Sequence, residues 1–350
     1  MILDVVKIFV PALFAFVFGL LMTPAVSRFL VSHKFWKKKS VVISTDGSGA
    51  PITQALHGDE ERKTPRMGGI IIWASALLTI LLFWFGSQFD SDTLDKLDFL
   101  SRNQTWLPVF TLIMGAIIGL IDDYWTVSEI YDQKAGGLSF KKRILMVTIV
   151  ALIGAWWFYY KLEMTSIIVP FLGIVDIGWF FIPFFVLVML GTYSGGVIDG
   201  LDGLSGGVFA IIFGTYGVIA FLGNQIDLSA FCFVLMGGLL AFLWYNIPPA
   251  LFFMSETGIM ALTMTLAVVA FLTQQVLILP LIAFPLVVSS ASSSIQLLSK
   301  RFRGGKKVFL VAPLHHHFQA LGWPASTVVM RYWIVGVFTS LLGLVIVLLG

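Results

Sequence analysis

The chain has 350 residues, of which 58% are hydrophobic and only 12% are Asp, Glu, Lys or Arg. A soluble protein of this length needs more polar side chains to cover its surface, so the composition indicates an integral membrane protein. The formal net charge is only +3, and the single cysteine, Cys232, excludes an intramolecular disulfide.

Apolar segments of about 20 residues cross a bilayer as helices, because a helix satisfies its own backbone polar groups in lipid. Ten such segments occur, at 6–32, 69–87, 105–121, 144–160, 177–192, 204–223, 228–245, 257–273, 275–298 and 328–349. Pro280 and Pro285 are expected to bend the ninth segment. The apolar stretch 165–176 is expected to lie at the interface. The sequence therefore predicts an all-α polytopic membrane protein with about ten transmembrane helices and a single domain, 1–350.

The basic residues are distributed unevenly between the two sides of these spans. Of the 22 Lys and Arg residues, Lys7, Lys96, Arg102 and Lys161 lie elsewhere, and the other 18 lie in or beside the odd-numbered loops. Cytoplasmic loops carry the excess of Lys and Arg. The odd loops are therefore predicted to be cytoplasmic, and both termini extracytoplasmic.

The same loops carry the notable polar clusters. These are "HGDEERKTPRMGG" (57–69), "DDYWTVSEIYDQKAGGLSFKKR" (122–143), "VIDGLDGL" (197–204), "NIPPALFFMSETG" (246–258) and "APLHHHF" (312–318). Their concentration on one side predicts a single active site that five loops assemble at the cytoplasmic face.

The acidic residues of these clusters predict phosphate chemistry. Asp122 and Asp123 are neighbours on a helix and point about 100° apart, so one is free to bind an ion or substrate while the other holds a basic residue. Asp199 and Asp202 share a face if their segment is helical. Glu256 starts the eighth span. Carboxylate oxygens beside many cations suit Mg²⁺ and phosphates, since Mg²⁺ takes one or two carboxylates plus substrate oxygens and water. Solvated helix-end acids are the alternative for each residue alone.

Three consecutive histidines, His315, His316 and His317, invite a zinc assignment. Consecutive residues cannot converge on one ion from a regular helix or strand, and the fourth ligand of a structural zinc site is missing nearby. Imidazoles that donate to phosphate or ribose oxygens fit the sequence better, and a plain polar loop is the other reading.

Taken together, these motifs closely resemble the phospho-N-acetylmuramoyl-pentapeptide transferases, or translocase I, of the polyprenyl-phosphate N-acetylhexosamine-1-phosphate transferase superfamily. The resemblance covers nearly the whole chain. It rests on "TPRMGGI", "GLIDDY", "DGLDGL" and "NIPPALFFMSETG", and above all on "APLHHHFQALGWP" (312–324).

The resemblance implies transfer of phospho-MurNAc-pentapeptide from its UDP carrier to undecaprenyl phosphate, with lipid I and UMP as products and Mg²⁺ as cofactor. The implied partners are these two substrates and the lipid bilayer of the bacterial cytoplasmic membrane. No nucleic-acid partner is expected, and a homodimer is left open.

The same resemblance, with the basic loops beside it, gives the candidate site. The catalytic candidates are Asp122, Asp123, His316 and His317. The substrate-binding candidates are Lys63, Thr64, Arg143, Asp199, Asp202, Asn246 and His315. The candidate Mg²⁺ ligands are Glu256, Asp122 and Asp199.

The chain departs from the family pattern at several of these motifs. "SETGI" replaces the usual "GDTGS", so Glu256 stands for the metal-binding aspartate. Gly196 stands where an asparagine is usual, three residues before Asp199. Thr126 replaces a lysine four residues after Asp122.

Three other functions compete with lipid I synthesis. A transferase for another UDP-amino sugar conflicts with the triple histidine. A secondary transporter would place its acids near the bilayer midplane, whereas these acids lie at loop ends on one side. A non-catalytic homologue is favoured only by the departures.

Overall fold

The structure, a computed structural model, describes residues 2–36, 64–89, 96–101, 104–128 and 137–350. Its main helices are α1 (Ile2–Ser32), α2 (Ile70–Ser87), α3 (Trp106–Ser128), α4 (Phe140–Trp156), α5 (Phe181–Ser194), α6 (Leu204–Leu222), α7 (Ile226–Asn246), α8 (Ser255–Leu272), α9 (Leu279–Ile282), α10 (Phe284–Phe302), α11 (Leu314–Ala320) and α12 (Ala325–Leu349). Short 3₁₀ segments flank α5 at Gly178–Phe180 and Gly195–Ile198, and another precedes α9 at Val276–Ile278. A π-helical turn, Trp157–Lys161, extends α4.

The predicted membrane-spanning fold is confirmed. Within the described ranges, nine helices are long and apolar enough to cross a membrane, and the number is ten if one bent pair counts as a single span. That pair, Val276–Ile282 and Phe284–Phe302, turns by 81°. The bend falls between Pro280 and Pro285, as the helix-breaking effect of proline predicts.

The stretch after α4 forms a small hairpin instead of a crossing helix. Strand β1 (Ser166–Val169) pairs antiparallel with β2 (Gly173–Asp176), with Ser166 opposite Asp176 and Val169 opposite Gly173. The expectation that 165–176 does not cross is confirmed. The hairpin is a small addition to the predicted all-α fold.

Helix α8 lies at the centre of the bundle. All of its residues except Glu256 are buried, and its first turn carries the "SETG" motif. Helix α3 packs directly along it, because Gly115 and Gly119 bring the two backbones into contact. A Cβ at Gly115 would lie 2.6 Å from the Met260 carbonyl oxygen. Small residues at such crossings allow close helix packing in membranes, and here the packing brings the end of α3 beside the start of α8.

The two ends of the chain lie on the side opposite this first turn. Lys7 Nζ in α1 contacts Asp227 Oδ1 at the start of α7 at 2.6 Å. Gly350 lies against Pro170 and Phe171 of the hairpin. The termini therefore share a side with the loops that follow α4 and α6, as an even number of crossings requires. Which of the two sides faces the cytoplasm stays a prediction from the distribution of Lys and Arg.

Cysteine labelling tests this orientation. Asn224, between α6 and α7, and Lys307, after α10, are both exposed, whereas the native Cys232 is buried and should give little background. We expect an impermeant thiol reagent to label Asn224→Cys in intact cells, and to label Lys307→Cys only after the cells are opened. The reverse pattern would invert the orientation.

Candidate active site

Two carboxylates bind the backbone of the first turn of α8. Asp199 Oδ2 accepts a hydrogen bond from the Ser255 amide at 3.0 Å, and Asp123 Oδ2 accepts one from the Thr257 amide at 2.9 Å. These amides have no partner within the helix, and the positive end of the helix dipole favours anions there. The two acids, which lie 76 positions apart in the sequence, thus converge on one helix end.

Arg143 connects two further acids at the same place. Its Nε donates to Asp122 Oδ1 and its Nη2 contacts Asp122 Oδ2, both at 3.0 Å, while Nη1 donates to Glu256 Oε1 at 2.7 Å. The Leu138 amide also donates to Asp122 Oδ1, at 2.6 Å. The planar guanidinium suits this two-sided contact, which the point charge of a lysine would not reproduce. Arg143, predicted to bind substrate, here orients two candidate catalytic and metal-binding acids.

The two neighbouring acids of α3 have separate partners, as their angular separation requires. Asp122 faces Arg143, whereas Asp123 faces the start of α8 and lies 3.5 Å from Arg66 Nη2. Both aspartates are fully buried. Each therefore lies beside a basic residue, while the sequence led us to expect this for one of them.

Asp199 is partly buried, and this burial raises the pKa of its carboxyl above the ordinary range. The Ser205 hydroxyl, which donates to Asp199 Oδ1 at 2.7 Å, and the Ser255 amide act in the opposite direction. Hydrogen bonds to the charged form favour ionisation, and desolvation opposes it.

The condition under which Asp199 and Asp202 would share a face, a helical segment, is not met. The segment between them is a turn that ends at Gly203 with φ of 79°, so α6 begins only at Leu204. Asp202 Oδ2 instead accepts a hydrogen bond from the Ala250 amide at 3.0 Å. The two carboxylates therefore bind different parts of the 246–255 segment.

Asn246 connects the turn before α6 to the segment before α8 through the oxygen and the nitrogen of its side-chain amide. Its Oδ1 accepts from the Gly203 amide and its Nδ2 donates to the Phe252 carbonyl, each at 2.9 Å. The side chain is nearly fully buried. The structure thus gives Asn246 a positioning role, and its direct contact with substrate stays a prediction.

The "TPRMGG" segment lies against the entrance to α8. Backbone hydrogen bonds join Pro65, Gly68 and Gly69 to Phe253 and Met254, at 2.8 to 3.1 Å. These bonds hold Arg66 beside Asp123, with Thr64 half-buried nearby in the sequence. Lys63, the other candidate from this motif, lies outside the described residues.

The histidines are divided between two environments on α11. A Cβ at Gly200 would lie 2.5 Å from His315 Nε2 and 2.7 Å from His316 Nε2, so both rings reach the backbone between Asp199 and Asp202. His317 faces away from this loop, and its Nδ1 accepts from the Leu310 amide at 3.2 Å. The fold therefore brings His315 and His316 to the acidic site.

Among the described residues, no group of three or more His, Cys, Asp or Glu side chains is arranged to hold a metal ion. Both oxygens of Asp122 and both oxygens of Asp199 contact donors within the protein. Glu256 contacts Arg143 through Oε1 and is 23% exposed. Glu256 is thus more accessible than Asp122, which is fully buried, and the set of ligands stays a prediction.

Two departures from the family pattern are in direct contact. A Cβ at Gly196 would overlap Cγ2 of Ile259, which is buried in α8. The resembled family has asparagine and serine at these two places, so a polar pair is replaced by glycine and isoleucine that fill the same space. A third departure, Ser255, has φ of 59°, a conformation that its usual glycine adopts without strain.

Some residues of the site were not predicted. Arg66 lies inside the "TPRMGG" motif. A basic residue in a loop that also contains acidic residues could have identified it as a site candidate. Nothing in the sequence singled out Ser205 or the backbone amides of Leu138, Ala250, Ser255 and Thr257. Backbone amides occur throughout the chain, and only the fold determines which of them point at a carboxylate.

Comparisons with known proteins show what the chain is similar to. Residues 105–274 match the family model described as Glycosyl transferase family 4. The phospho-N-acetylmuramoyl-pentapeptide-transferase of Chloroflexus aurantiacus is 33% identical over 359 aligned positions, which cover 99% of this chain and 91% of the relative. The protein of that name from Listeria monocytogenes is 31% identical over 336 positions, covering 95% of this chain and 96% of the relative.

The contact between Gly196 and Ile259 gives a testable coupling. Gly196→Ala should destabilise the solubilised protein by about 1–3 kcal/mol, because the added methyl group overpacks a filled site. Gly191→Ala is the matched control, since a Cβ there meets nothing within 4 Å. Adding Ile259→Ser to Gly196→Ala should recover part of the loss in thermal unfolding. Additive losses in the double variant would contradict the coupling.

Proposed function

The chain belongs to the phospho-N-acetylmuramoyl-pentapeptide-transferase family, and from this membership we propose that it transfers phospho-MurNAc-pentapeptide from UDP-MurNAc-pentapeptide to undecaprenyl phosphate. The products are lipid I, a precursor of peptidoglycan, and UMP. The observation that carries this proposal is the similarity over 99% of the chain to relatives of that name. A membrane fold is what such a reaction requires, because its acceptor is a lipid.

The reaction exchanges one phosphoanhydride bond for another. An oxygen of the lipid phosphate attacks the phosphorus that carries the sugar, a new P–O–P linkage forms, and the bond to the phosphate of UMP breaks. Negative charge on the transferred group and on the leaving UMP has to be stabilised. The reaction needs donors and cations that are already positioned.

Asp122 and Asp123 are poor candidates for a covalent nucleophile in this geometry. Both oxygens of Asp122 contact Arg143, and Asp123 accepts a hydrogen bond from the start of α8. A carboxylate whose oxygens are already engaged in such charge-assisted contacts is less available to attack phosphorus. These contacts favour direct attack by the lipid phosphate, with the two aspartates orienting basic groups and the helix end.

The charges of the site fit a divalent cation. Four carboxyl groups, those of Asp122, Asp123, Asp199 and Glu256, lie beside two guanidinium groups, those of Arg66 and Arg143. Carboxyl groups therefore outnumber basic groups at this place, and oxygen donors are the ligands that Mg²⁺ prefers. Glu256 would hold it, with Asp122 and Asp199 beside it. When bound, Mg²⁺ supplies positive charge that offsets the charge on the substrate phosphates.

The nucleotide-sugar is a cytoplasmic metabolite, so the site has to face the cytoplasm. The excess of Lys and Arg in the odd loops supports this orientation, with both termini outside. His315 and His316, which reach the loop of Asp199, are suited to donate hydrogen bonds to phosphate oxygens of the nucleotide-sugar. A homodimer stays a prediction.

A turnover assay tests the proposed function. Purified protein incubated with UDP-MurNAc-pentapeptide, undecaprenyl phosphate and Mg²⁺ should release UMP and form lipid I, and chelation of the metal should stop both. Replacement of the donor by UDP-GlcNAc should give no product. Release of UMP with UDP-GlcNAc alone would identify a transferase for another sugar, and no release with either donor would favour a non-catalytic homologue.

Glu256 is the sharpest single-residue test of the metal assignment. Glu256→Gln keeps the shape and removes the charge, so UMP release should fall by one to two orders of magnitude or more, about 1.5–3 kcal/mol. Glu256→Asp restores the usual family residue but shortens the arm that reaches Arg143, so activity should not rise. Glu163→Gln, exposed on the opposite side, is the matched control. Wild-type magnesium dependence in Glu256→Gln would remove Glu256 from the metal site.

A further inference from the structure

A dense group of basic residues lies where α10 ends. We call residues 300–310 the basic loop; it contains Lys300, Arg301, Arg303, Lys306 and Lys307. No Asp or Glu occurs in the chain after Glu256. Within the described ranges, the last four of these side chains form no ion pair with an acid. These four exposed charges are therefore available to an anion from outside this part of the chain.

Apolar side chains interrupt the basic ones. Phe302 is 75% exposed, and Val308 and Leu310 are exposed as well. In the preceding turns of α10, Ile295 and Leu298 are also exposed. Apolar side chains exposed on a membrane-spanning helix contact acyl chains, so the basic residues that follow them lie at the level of the headgroups.

The basic loop has a defined conformation. Gln296 Oε1 accepts from the amides of Val308 and Phe309 at 2.9 and 3.0 Å, and the Ser299 hydroxyl donates to the Lys306 carbonyl at 2.9 Å. These contacts fold the loop back onto α10. At its far end, Leu310 donates to His317, so the loop is continuous with the histidine helix α11.

We propose that the basic loop is a docking surface for anionic phospholipid headgroups, such as phosphatidylglycerol. Each Lys or Arg near an anionic leaflet contributes attraction, and clusters just beyond a membrane helix are typical of such surfaces. Phe302 and Leu310 favour a lipid over a free phosphate, because only a lipid brings acyl chains for them to contact. A lipid bound there would stabilise the bent α10 in the bilayer.

Native mass spectrometry of the detergent-solubilised protein tests the proposal, because it resolves single lipid-binding events. Titration with phosphatidylglycerol should give binding tighter than with phosphatidylcholine by roughly fivefold or more. Raising the ionic strength from about 0.05 M to about 0.5 M shortens the screening length and should remove this preference. Equal binding of the two lipids by the wild-type protein would overturn the proposal without any variant.

Two sets of substitutions locate the site. The combined variant Arg301→Gln, Arg303→Gln, Lys306→Gln and Lys307→Gln should bind the two lipids equally. The charge-retaining variant Arg301→Lys, Arg303→Lys, Lys306→Arg and Lys307→Arg should keep the preference. An unchanged preference in the Gln variant would place the lipid elsewhere and overturn the proposal.

Inorganic phosphate distinguishes the two sources of the anion. If millimolar phosphate displaces phosphatidylglycerol as effectively as competing lipid does, the loop is a general anion site and the lipid assignment fails. None of these measurements depends on UMP release, so their outcome is independent of the catalytic proposal.

Discussion

The first turn of α8 is the constraint on which the rest of the site depends. Its amides are buried in a membrane protein, where an unpaired N–H is costly. Asp123, in α3, and Asp199, in the turn before α6, accept hydrogen bonds from two of these amides. Because they do, the end of α3, the turn before α6 and the start of α8 are fixed relative to one another. Glu256, one residue into that turn, is thereby placed within reach of Arg143.

Charge balance explains why the same place holds both guanidinium groups. Several carboxylates close together would repel one another in a low-dielectric region, and Arg143 and Arg66 reduce that repulsion. Four carboxyl groups lie beside these two guanidinium groups. Thr126, where the resembled family has lysine, donates to the Asp122 carbonyl instead. Arg143, 21 positions after Asp122 in the chain, supplies a cation beside that residue.

The residues that depart from the family pattern lie close together in the structure. Gly196 and Ile259 are far apart in the sequence but share one contact, so their changes compensate in volume. Ser255 retains the left-handed backbone that glycine usually provides, at a conformational cost. The three changes surround Glu256. The longer side chain of Glu256 is therefore combined with altered packing around the first turn of α8.

Hydropathy alone determined the membrane-spanning fold and the approximate positions of the spans, because burial of a helix in lipid depends on local composition. The two prolines located the bend near Pro280. The motifs alone indicated the family and most of the acidic residues. Only the tertiary structure decided which amides the acids bind, why Asp199 and Asp202 diverge, and that Arg66 belongs to the site. Those outcomes depend on how α3, α6 and α8 pack. Every residue except proline has a backbone amide N–H, so the sequence does not indicate which amide will donate to a given carboxylate.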